Sequence, residues 1–192
     1  SLREPLESGV VTITRVRGSV AFPAVLLLIA AMNPCPCGYY GDASRDCTCP
    51  PPVVGRYQRR ISGPLLDRID LFVDVPRVAF EKLAAATTAE PSAKVAARVA
   101  RGREIQRQRF AGAGTTALNA EMNPSQVREF AQLQLSESAA NLLRVAVEKL
   151  NLSARAFHRV LKLARTIADL AESQAIEQPH IAESIQYRER AE

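Results

Sequence analysis

The residues best suited to chemistry in this chain are four cysteines arranged as two close pairs. Cys35-x-Cys37 is followed by nine residues and then Cys47-x-Cys49, and the 192-residue chain has no other cysteine. Four thiolates can form a tetrahedral site, and zinc is the usual occupant because it binds thiolates without redox chemistry. Four protein ligands leave no open coordination position, so the pattern predicts a structural zinc ion.

The cysteine spacing leaves two other states open. The usual zinc knuckle is Cys-x-x-Cys, and the shorter Cys-x-Cys pairs of this chain are tighter. Two disulfides are one alternative, although a cytoplasmic protein would keep such cysteines reduced. Free thiols in a loop are the other alternative.

Two further polar residues stand beside apolar segments. Asn33 follows the apolar run Val25–Ala31, and Arg68 precedes the run Ile69–Val75. Central strands of parallel sheets are continuously apolar, and ligands bind at their carboxyl ends. There a neutral amide can bind phosphate without repulsion, and a guanidinium can spread charge over a phosphoryl group. The pattern is typical of a nucleotide-phosphate site, with a turn cap at Asn33 and a surface ion pair at Arg68 as the local alternatives.

Composition sets the broad class of protein. The chain is 47% hydrophobic and 5% aromatic, and it has no tryptophan, so a core must rest on leucine, valine, isoleucine and alanine. It shows neither a basic-then-apolar leader nor an apolar stretch of membrane-spanning length, so we expect no membrane partner and a cytoplasmic location. The net charge of +5 is compatible with a polyanionic partner, although solvated lysine and arginine are the ordinary explanation.

The pattern along the chain predicts three regions. β-branched segments between Val10 and Ala24 flank the turn Arg15–Gly18, which predicts a hairpin. Residues Val25–Pro76 hold the two apolar strand candidates and the cysteine-rich loop. The last region predicts helices over Ser92–Phe110, Pro124–Gln132, Ser136–Leu150, Ser153–Ala171 and Pro179–Arg190.

Helix caps single out one arginine. Asn123, Ser136 and Ser153 are the predicted N-caps of three of these helices. Ser153 places Arg155 within the first turn of its helix. Cations prefer the other end of a helix, whereas a helix N-terminus suits a phosphate ligand. Arg155 is therefore a candidate phosphate-binding residue.

Two strings of residues resemble a known family. The segments Ala-Met-Asn-Pro-Cys-Pro-Cys-Gly at 31–38 and Ser-Gly-Pro-Leu-Leu-Asp-Arg-Ile-Asp at 62–70 are long and unusual. They resemble the ComM/YifB group of bacterial magnesium-chelatase-like AAA+ ATPases, and the resemblance extends over nearly the whole chain.

This resemblance implies a fold class of α/β plus all-α. Residues 1–80 would be the rear part of an AAA+ α/β subdomain, with a hairpin, a sensor-1 strand, a following strand and a cysteine-rich insertion at 34–52. Residues 81–192 would be a helical lid. The sequence has no P-loop, and no apolar strand ends in the acidic pair that holds Mg²⁺. We therefore expect the C-terminal part of a larger ATPase, inactive alone.

The resemblance also assigns roles to residues. It implies Asn33 as sensor 1, Arg68 as an arginine finger acting on the neighbouring subunit's nucleotide, and Arg155 as sensor 2. Arg15 and Arg17 would lie on a hairpin that contacts DNA. ATP and Mg²⁺ would be the cofactors of the full-length protein.

The function implied is that of an ATP-driven motor, a homo-oligomeric ring for which the family suggests a hexamer. It would act on DNA as a helicase or branch-migration enzyme in natural transformation or recombination. One alternative is a motor for metal insertion into a tetrapyrrole. The other is a non-enzymatic, zinc-stapled module that binds nucleic acid.

Overall fold

The chain forms two compact units, each considered by itself. A computed structural model describes residues 2–16, 18–78, 90–112 and 116–188. The first unit comprises residues 1–69 and 74–78, and the second, here called the helical unit, comprises residues 70–73 and 79–192.

The first unit contains the predicted hairpin. Strand β1 (Val10–Arg15) pairs with β2 (Gly18–Pro23) in antiparallel register, from Val10 opposite Pro23 to Arg15 opposite Gly18. The two-residue connection and the β-branched arms favour this geometry. The hairpin prediction is therefore confirmed.

Three short helices of the first unit were not predicted from the sequence. They are α1 (Arg3–Ser8), α2 (Pro51–Gln58) and α3 (Gly63–Leu66). Both α2 and α3 carry proline in their first turn, where its missing N–H costs nothing and its fixed φ suits the helix. Because proline also marks loops, the proline-rich stretch gives no clear helical signal.

The two predicted sheet strands are not formed. Neither Val25–Ala31 nor Ile69–Val75 is a strand, and the sheet of the described residues has only β1 and β2. Along the first run Val25, Leu27 and Ile29 are about 85% exposed. A strand requires a neighbour for its backbone N–H and C=O groups, and the described residues supply none. The observed fold is helix-rich with one two-stranded antiparallel sheet, so the prediction of these two strands is wrong for this chain.

The helical unit holds all five predicted helices, with end shifts of a few residues. They are α4 (Ser92–Arg109), α5 (Pro124–Phe130), α6 (Glu137–Lys149), α7 (Ala154–Leu170) and α8 (Gln178–Gln186). Short 3-10 turns at Asn119–Glu121 and Gln132–Gln134 connect them. Among the described helices, none combines the length and apolar character needed to cross a bilayer.

The predicted N-caps are confirmed by hydrogen bonds. The side-chain oxygens of Asn123, Ser136 and Ser153 accept from the backbone N–H three residues later, at 3.0, 3.4 and 3.2 Å. Each bond satisfies a donor that the first turn of a helix cannot use internally. These caps fix where α5, α6 and α7 begin.

Apolar side chains of the helical unit form one core. Leu143, Val160 and Leu161 are buried there, as their helical spacing predicts, and Phe110 meets Phe130 edge to face with ring centroids 5.6 Å apart. Val145, Leu150 and Leu170 on or beside the same helices are also apolar, but they are exposed. A sequence stripe marks one side of a helix, but neighbouring helices decide how much of it is covered.

A buried carboxylate joins the elements around this core. Asp169, which has no exposed surface, accepts hydrogen bonds from Arg109 at 2.5 and 2.7 Å, from Arg165 at 3.0 Å and from Asn119 at 2.7 Å. Arg165 also donates to the backbone carbonyls of Ser173 at 2.6 Å and of Gln174 at 2.7 Å. The network connects α4, the first 3-10 turn, α7 and the segment that follows α7.

We expect Asp169→Ala to destabilise the helical unit strongly. The change leaves Arg109 and Arg165 without their buried counter-charge, which typically costs about 3–5 kcal/mol. Urea unfolding followed by far-ultraviolet circular dichroism measures the loss. Glu104→Ala is the matched control, because Glu104 pairs with Arg107 on an exposed face at 2.8 Å and should change stability by less than about 1 kcal/mol. Equal effects of the two substitutions would contradict the role given to Asp169.

Candidate functional site

The cysteine-rich loop is shaped by tight turns. Gly38 and Gly41 have φ angles of 85° and 78°, a left-handed conformation that side chains other than glycine rarely adopt. The N–H of Gly38 donates to the carbonyl of Cys35 at 3.0 Å. The turn folds the chain back after the first cysteine pair, and α2 begins two residues after Cys49.

The loop brings all four cysteines together. The Sγ atom of Cys35 lies 3.3 Å from that of Cys37 and 3.7 Å from that of Cys47, and the Cys37 and Cys47 sulfurs are 3.6 Å apart. When the Sγ atom of Cys49 is included, all four sulfur atoms lie within 4.8 Å of one another. A tetrahedral zinc with bonds of about 2.3 Å places its sulfurs about 3.8 Å apart. The cluster therefore has the size of a four-thiolate metal site.

The same distances exclude the disulfide alternative in this structure. A disulfide joins its sulfurs at about 2.05 Å, and all four cysteines are free. Cys35 is fully buried and the other three are half-buried. The sulfur atoms of both cysteine pairs lie close together. This arrangement suits the binding of one shared cation better than it suits independent surface thiols.

The ionisation of the thiols shows why a cation fits there. The backbone N–H of Tyr39 lowers the pKa of the Cys37 thiol to about 5. The N–H of Cys49 acts in the same direction on Cys47, but burial and the neighbouring Cys37 and Cys35 outweigh it and raise the pKa of Cys47 to about 12. Crowded thiolates repel one another, and a bound divalent cation would remove that repulsion and favour the charged form of each.

Polar contacts brace the loop between the cysteine pairs. The Arg45 guanidinium lies over the Tyr39 ring, 4.2 Å from its centroid, and donates to the phenol oxygen at 2.9 Å. Asp42 accepts from the N–H and the hydroxyl of Ser44 at 2.7 and 2.6 Å. Arg77, far along the chain, reaches the Ser44 hydroxyl at 3.3 Å. The loop thus has structure of its own around the four sulfurs.

Arg68 is held against the first unit. It follows α3, and its side chain is 15% exposed. Its Nη1 donates to the carbonyl of Pro64 at 2.5 Å, and its Nη2 forms an ion pair with the Glu7 carboxylate at the end of α1. The structure therefore shows an ion pair at Arg68, as the local alternative from sequence predicted, and Glu7 is a partner in it.

The remaining candidate residues fall in different units. Asn33 is exposed in the first unit, just before the first cysteine pair, and Arg15 is exposed at the end of β1 in the same unit. Arg17 lies outside the described residues. Arg155 belongs to the helical unit, where it is exposed in the first turn of α7 after the Ser153 cap.

One face of α7 carries further charged contacts. Arg159, one turn beyond Arg155, lies 3.3 Å from the carboxylate of Asp70. Lys162, another turn on, donates to the carbonyl of Ala120 at 2.8 Å. Burial lowers the pKa of Lys162, against the opposing effect of Asp70. Within the helical unit the Arg159–Asp70 pair attaches the segment 70–73 to α7, and the Phe72 N–H donates to the carbonyl of Tyr187, just after α8, at 2.8 Å.

Sequence analysis missed Glu7 and Arg159. Both pair with residues of the string Ser62–Asp70, but their partners lie 61 and 89 residues away along the chain. No local periodicity signals a contact over such separations. The sequence offers one weak indication for each residue: it is charged and lies on or near an element that carries a predicted site residue.

Comparison with known proteins adds two family matches. Residues 1–83 match the family model described as magnesium chelatase, subunit ChlI, and residues 89–188 match the model described as magnesium chelatase, subunit ChlI C-terminal. The two matches together span both units.

Individual relatives resemble nearly the whole chain. The competence protein ComM of Haemophilus influenzae is 43% identical over 189 residues, which is 98% of this chain and 35% of the relative. The uncharacterized protein YifB of Escherichia coli is 40% identical over the same share of this chain and 36% of its own length. The chain therefore spans about a third of the length of these relatives.

We expect the reduced chain to bind one divalent metal ion at the four cysteines. Titration with cobalt(II) should give the absorption of tetrahedral thiolate coordination and saturate at one equivalent, because four sulfurs complete one site. Cys35→Ser should lose about 100-fold or more in affinity, since one thiolate of the tetrahedron is gone. Asp46→Ala, which removes an exposed acidic side chain from the same loop but no sulfur, is the control. Equal binding by the two variants would rule out the cluster as the site.

Proposed function

The chain belongs to the magnesium chelatase subunit ChlI family, in its ComM/YifB-type branch, and from this membership we propose that it is the C-terminal part of an ATP-driven AAA+ ring motor acting on DNA. The relatives support a larger protein, because they are about three times as long as this chain. The name of one of them, a competence protein, supports a task in natural transformation or recombination. We propose branch migration or helicase action as that task.

The observation that carries the proposal is the placement of Arg68. An arginine finger needs a guanidinium held in a defined direction, because its value comes from stabilising charge that develops on the transferred phosphoryl group. Two anchors, the Pro64 carbonyl and the Glu7 carboxylate, hold Arg68 at the end of α3. We propose that it reaches the nucleotide bound by the neighbouring subunit.

Two other residues complete the proposed nucleotide response. Asn33 would act as sensor 1, where an exposed amide suits a hydrogen bond to the γ-phosphate or the attacking water. Arg155 would act as sensor 2 at the start of α7, where the helix N-terminus also favours an anion. ATP and Mg²⁺ would be held chiefly by a P-loop and an acidic strand of the longer protein, since these 192 residues contain neither motif. We therefore propose that the chain alone does not hydrolyse ATP.

The proposed domain roles follow the family. Residues 1–80 would be the rear of the AAA+ α/β subdomain, and residues 81–192 its helical lid. In the longer protein, the exposed runs 25–31 and 69–75 would join a sheet whose other strands come from the rest of that protein, which accounts for their apolar character. The proposed assembly is a homo-oligomeric ring, for which we propose six subunits and a cytoplasmic location.

Zinc is the proposed occupant of the cysteine cluster. Its d¹⁰ configuration accepts a tetrahedron of thiolates, and the sulfur separations match that geometry. Four sulfur ligands leave no position for substrate, so its role would be structural. Protein purified without chelators should contain about one zinc per chain, in line with the cobalt stoichiometry.

Metal insertion into a tetrapyrrole is the second candidate function. The description of the matching family favours it, because that family is called magnesium chelatase. The exposed Arg15 at the hairpin and the net charge of +5 favour DNA instead. A non-enzymatic, zinc-stapled nucleic-acid module would bind DNA without any effect of nucleotide.

We expect Arg68→Ala to abolish most ATP hydrolysis by the full-length protein. Loss of an arginine finger lowers turnover by about 10³-fold or more, because the transition-state charge loses its fixed counter-charge. Steady-state ATPase assays measure turnover, and light scattering checks that rings still form. Arg60→Ala, which removes an exposed arginine of the same unit, is the control. Wild-type turnover by the all-mutant ring would refute the finger role.

The DNA task predicts a different phenotype for the hairpin. Arg15→Ala should weaken binding of the full-length protein to forked DNA and lower the salt dependence of that binding, because fewer phosphates are neutralised. ATPase activity without DNA should stay unchanged, since Arg15 is outside the proposed nucleotide site. Arg56→Ala on α2 serves as the comparison. If the Arg15→Ala variant binds DNA as tightly as the wild type and DNA still stimulates its ATPase activity, the chelatase alternative is favoured.

A further inference from the structure

Two side-chain contacts fasten α1 to the segment that carries Arg68. At one end of α1, Arg3 donates to the Ser62 hydroxyl at 2.8 Å. At the other end, the Glu7 carboxylate pairs with Arg68. These residues are 59 and 61 positions apart in sequence, yet all belong to the first unit. The two ends of α1 therefore contact the residues just before and just after α3.

The environment of Arg68 differs from that of an ordinary surface ion pair. The Arg68 side chain is 15% exposed, whereas Arg107, which pairs with Glu104 on α4, is 78% exposed; the two carboxylates are equally exposed, at 42% and 43%. Partial burial strengthens the attraction and reduces screening by salt. Because the Pro64 carbonyl holds the other terminal nitrogen of Arg68, the guanidinium has two fixed points and its plane is defined.

We propose that Glu7 is a positioning residue for Arg68, which orients the guanidinium for the nucleotide of the neighbouring subunit. The proposal rests on the proposed function of Arg68 as an arginine finger. Each terminal nitrogen of a guanidinium carries two N–H groups, so one guanidinium can hold an internal acceptor and contact a phosphate at the same time. Glu7 therefore does not need to release Arg68 for the reaction.

The benefit of Glu7 is orientation. A long arginine side chain has many rotamers, and each must be frozen before its N–H groups can face a phosphoryl group. A carboxylate on a neighbouring helix restricts those rotamers in advance, as supporting residues do in other sites that require accurate geometry. Loss of the carboxylate should leave Arg68 present and charged but poorly aimed.

A test of this role uses mixed rings of the full-length protein. Donor subunits carry a P-loop Lys→Ala substitution and a normal Arg68, and acceptor subunits carry Arg68→Ala and a normal P-loop. Each kind alone should be inactive. Mixed rings should recover ATP hydrolysis, because the nucleotide of an acceptor faces the Arg68 of a donor.

Glu7→Gln is then placed in one kind of subunit at a time. In donors it should lower the recovered turnover about tenfold, because the finger that acts in those rings loses its orientation. In acceptors, which lack Arg68, it should leave turnover within about twofold. A purely structural role would lower turnover in both arrangements alike, and that result would overturn the proposal.

The controls separate the proposal from the proposed function. Ser62→Ala in donors removes the Arg3 contact but leaves the Glu7 carboxylate on Arg68, so it should lower the recovered turnover much less than Glu7→Gln does. Thermal unfolding and light scattering verify that all variants fold and assemble. Failure of mixed rings to recover any activity would show that Arg68 is no finger, and both ideas would fall. If mixed rings recover ATP hydrolysis and Glu7→Gln in donors does not lower that turnover, the positioning role alone is overturned.

Discussion

Much of the helical unit depends on a carboxylate that has no access to water. Asp169 lies in the last turn of α7 and accepts hydrogen bonds from Arg165 one turn earlier on the same helix, from Arg109 on α4 and from the amide of Asn119 in the first 3-10 turn. Burying a charge is costly unless it is paired and hydrogen-bonded, so the arrangement persists only when α4, the 3-10 turn and α7 are all in place. Alternative packings of these amphipathic helices would leave the same groups unpaired. The network therefore specifies one packing of helices that apolar stripes alone would leave loosely determined.

The fixed position of α7 matters at its other end. Its first turn carries Arg155 behind the Ser153 cap, and its next turn holds Asp70 through Arg159. Each unit has its own contact of this kind: Glu7 holds Arg68 in the first unit, and Arg159 holds Asp70 in the helical unit. Only Ile69 lies between Arg68 and Asp70 in the sequence.

The first unit has a different kind of stability. Its described apolar residues are largely exposed, and Cys35 and Val54 are the buried hydrophobic residues described there. A core of that size contributes little, and small units of this kind usually rely on a metal or another cross-link. The cysteine cluster lies where such a link would join the loop to α2. The run Val25–Ala31 is also largely exposed, and a contiguous apolar surface of this kind is typical of an interaction site.

The sequence determined those features that depend on neighbours along the chain. Hairpin pairing, five helices and the caps Asn123, Ser136 and Ser153 follow from periodicity and short-range hydrogen bonding, and these predictions are confirmed. The cysteine spacing likewise indicated a shared site before any distance was known. The roles of Asn33, Arg68 and Arg155 rest on family resemblance and stay predictions.

Only the tertiary structure decided which distant groups meet. An apolar run predicts burial but not the partner that provides it, so the strands expected at 25–31 and 69–75 do not form here. The pairs Glu7–Arg68 and Asp70–Arg159 and the buried Asp169 network each join residues far apart in sequence. The energies of these contacts depend on desolvation and geometry in the folded chain, and neither can be deduced from the order of residue types in the sequence.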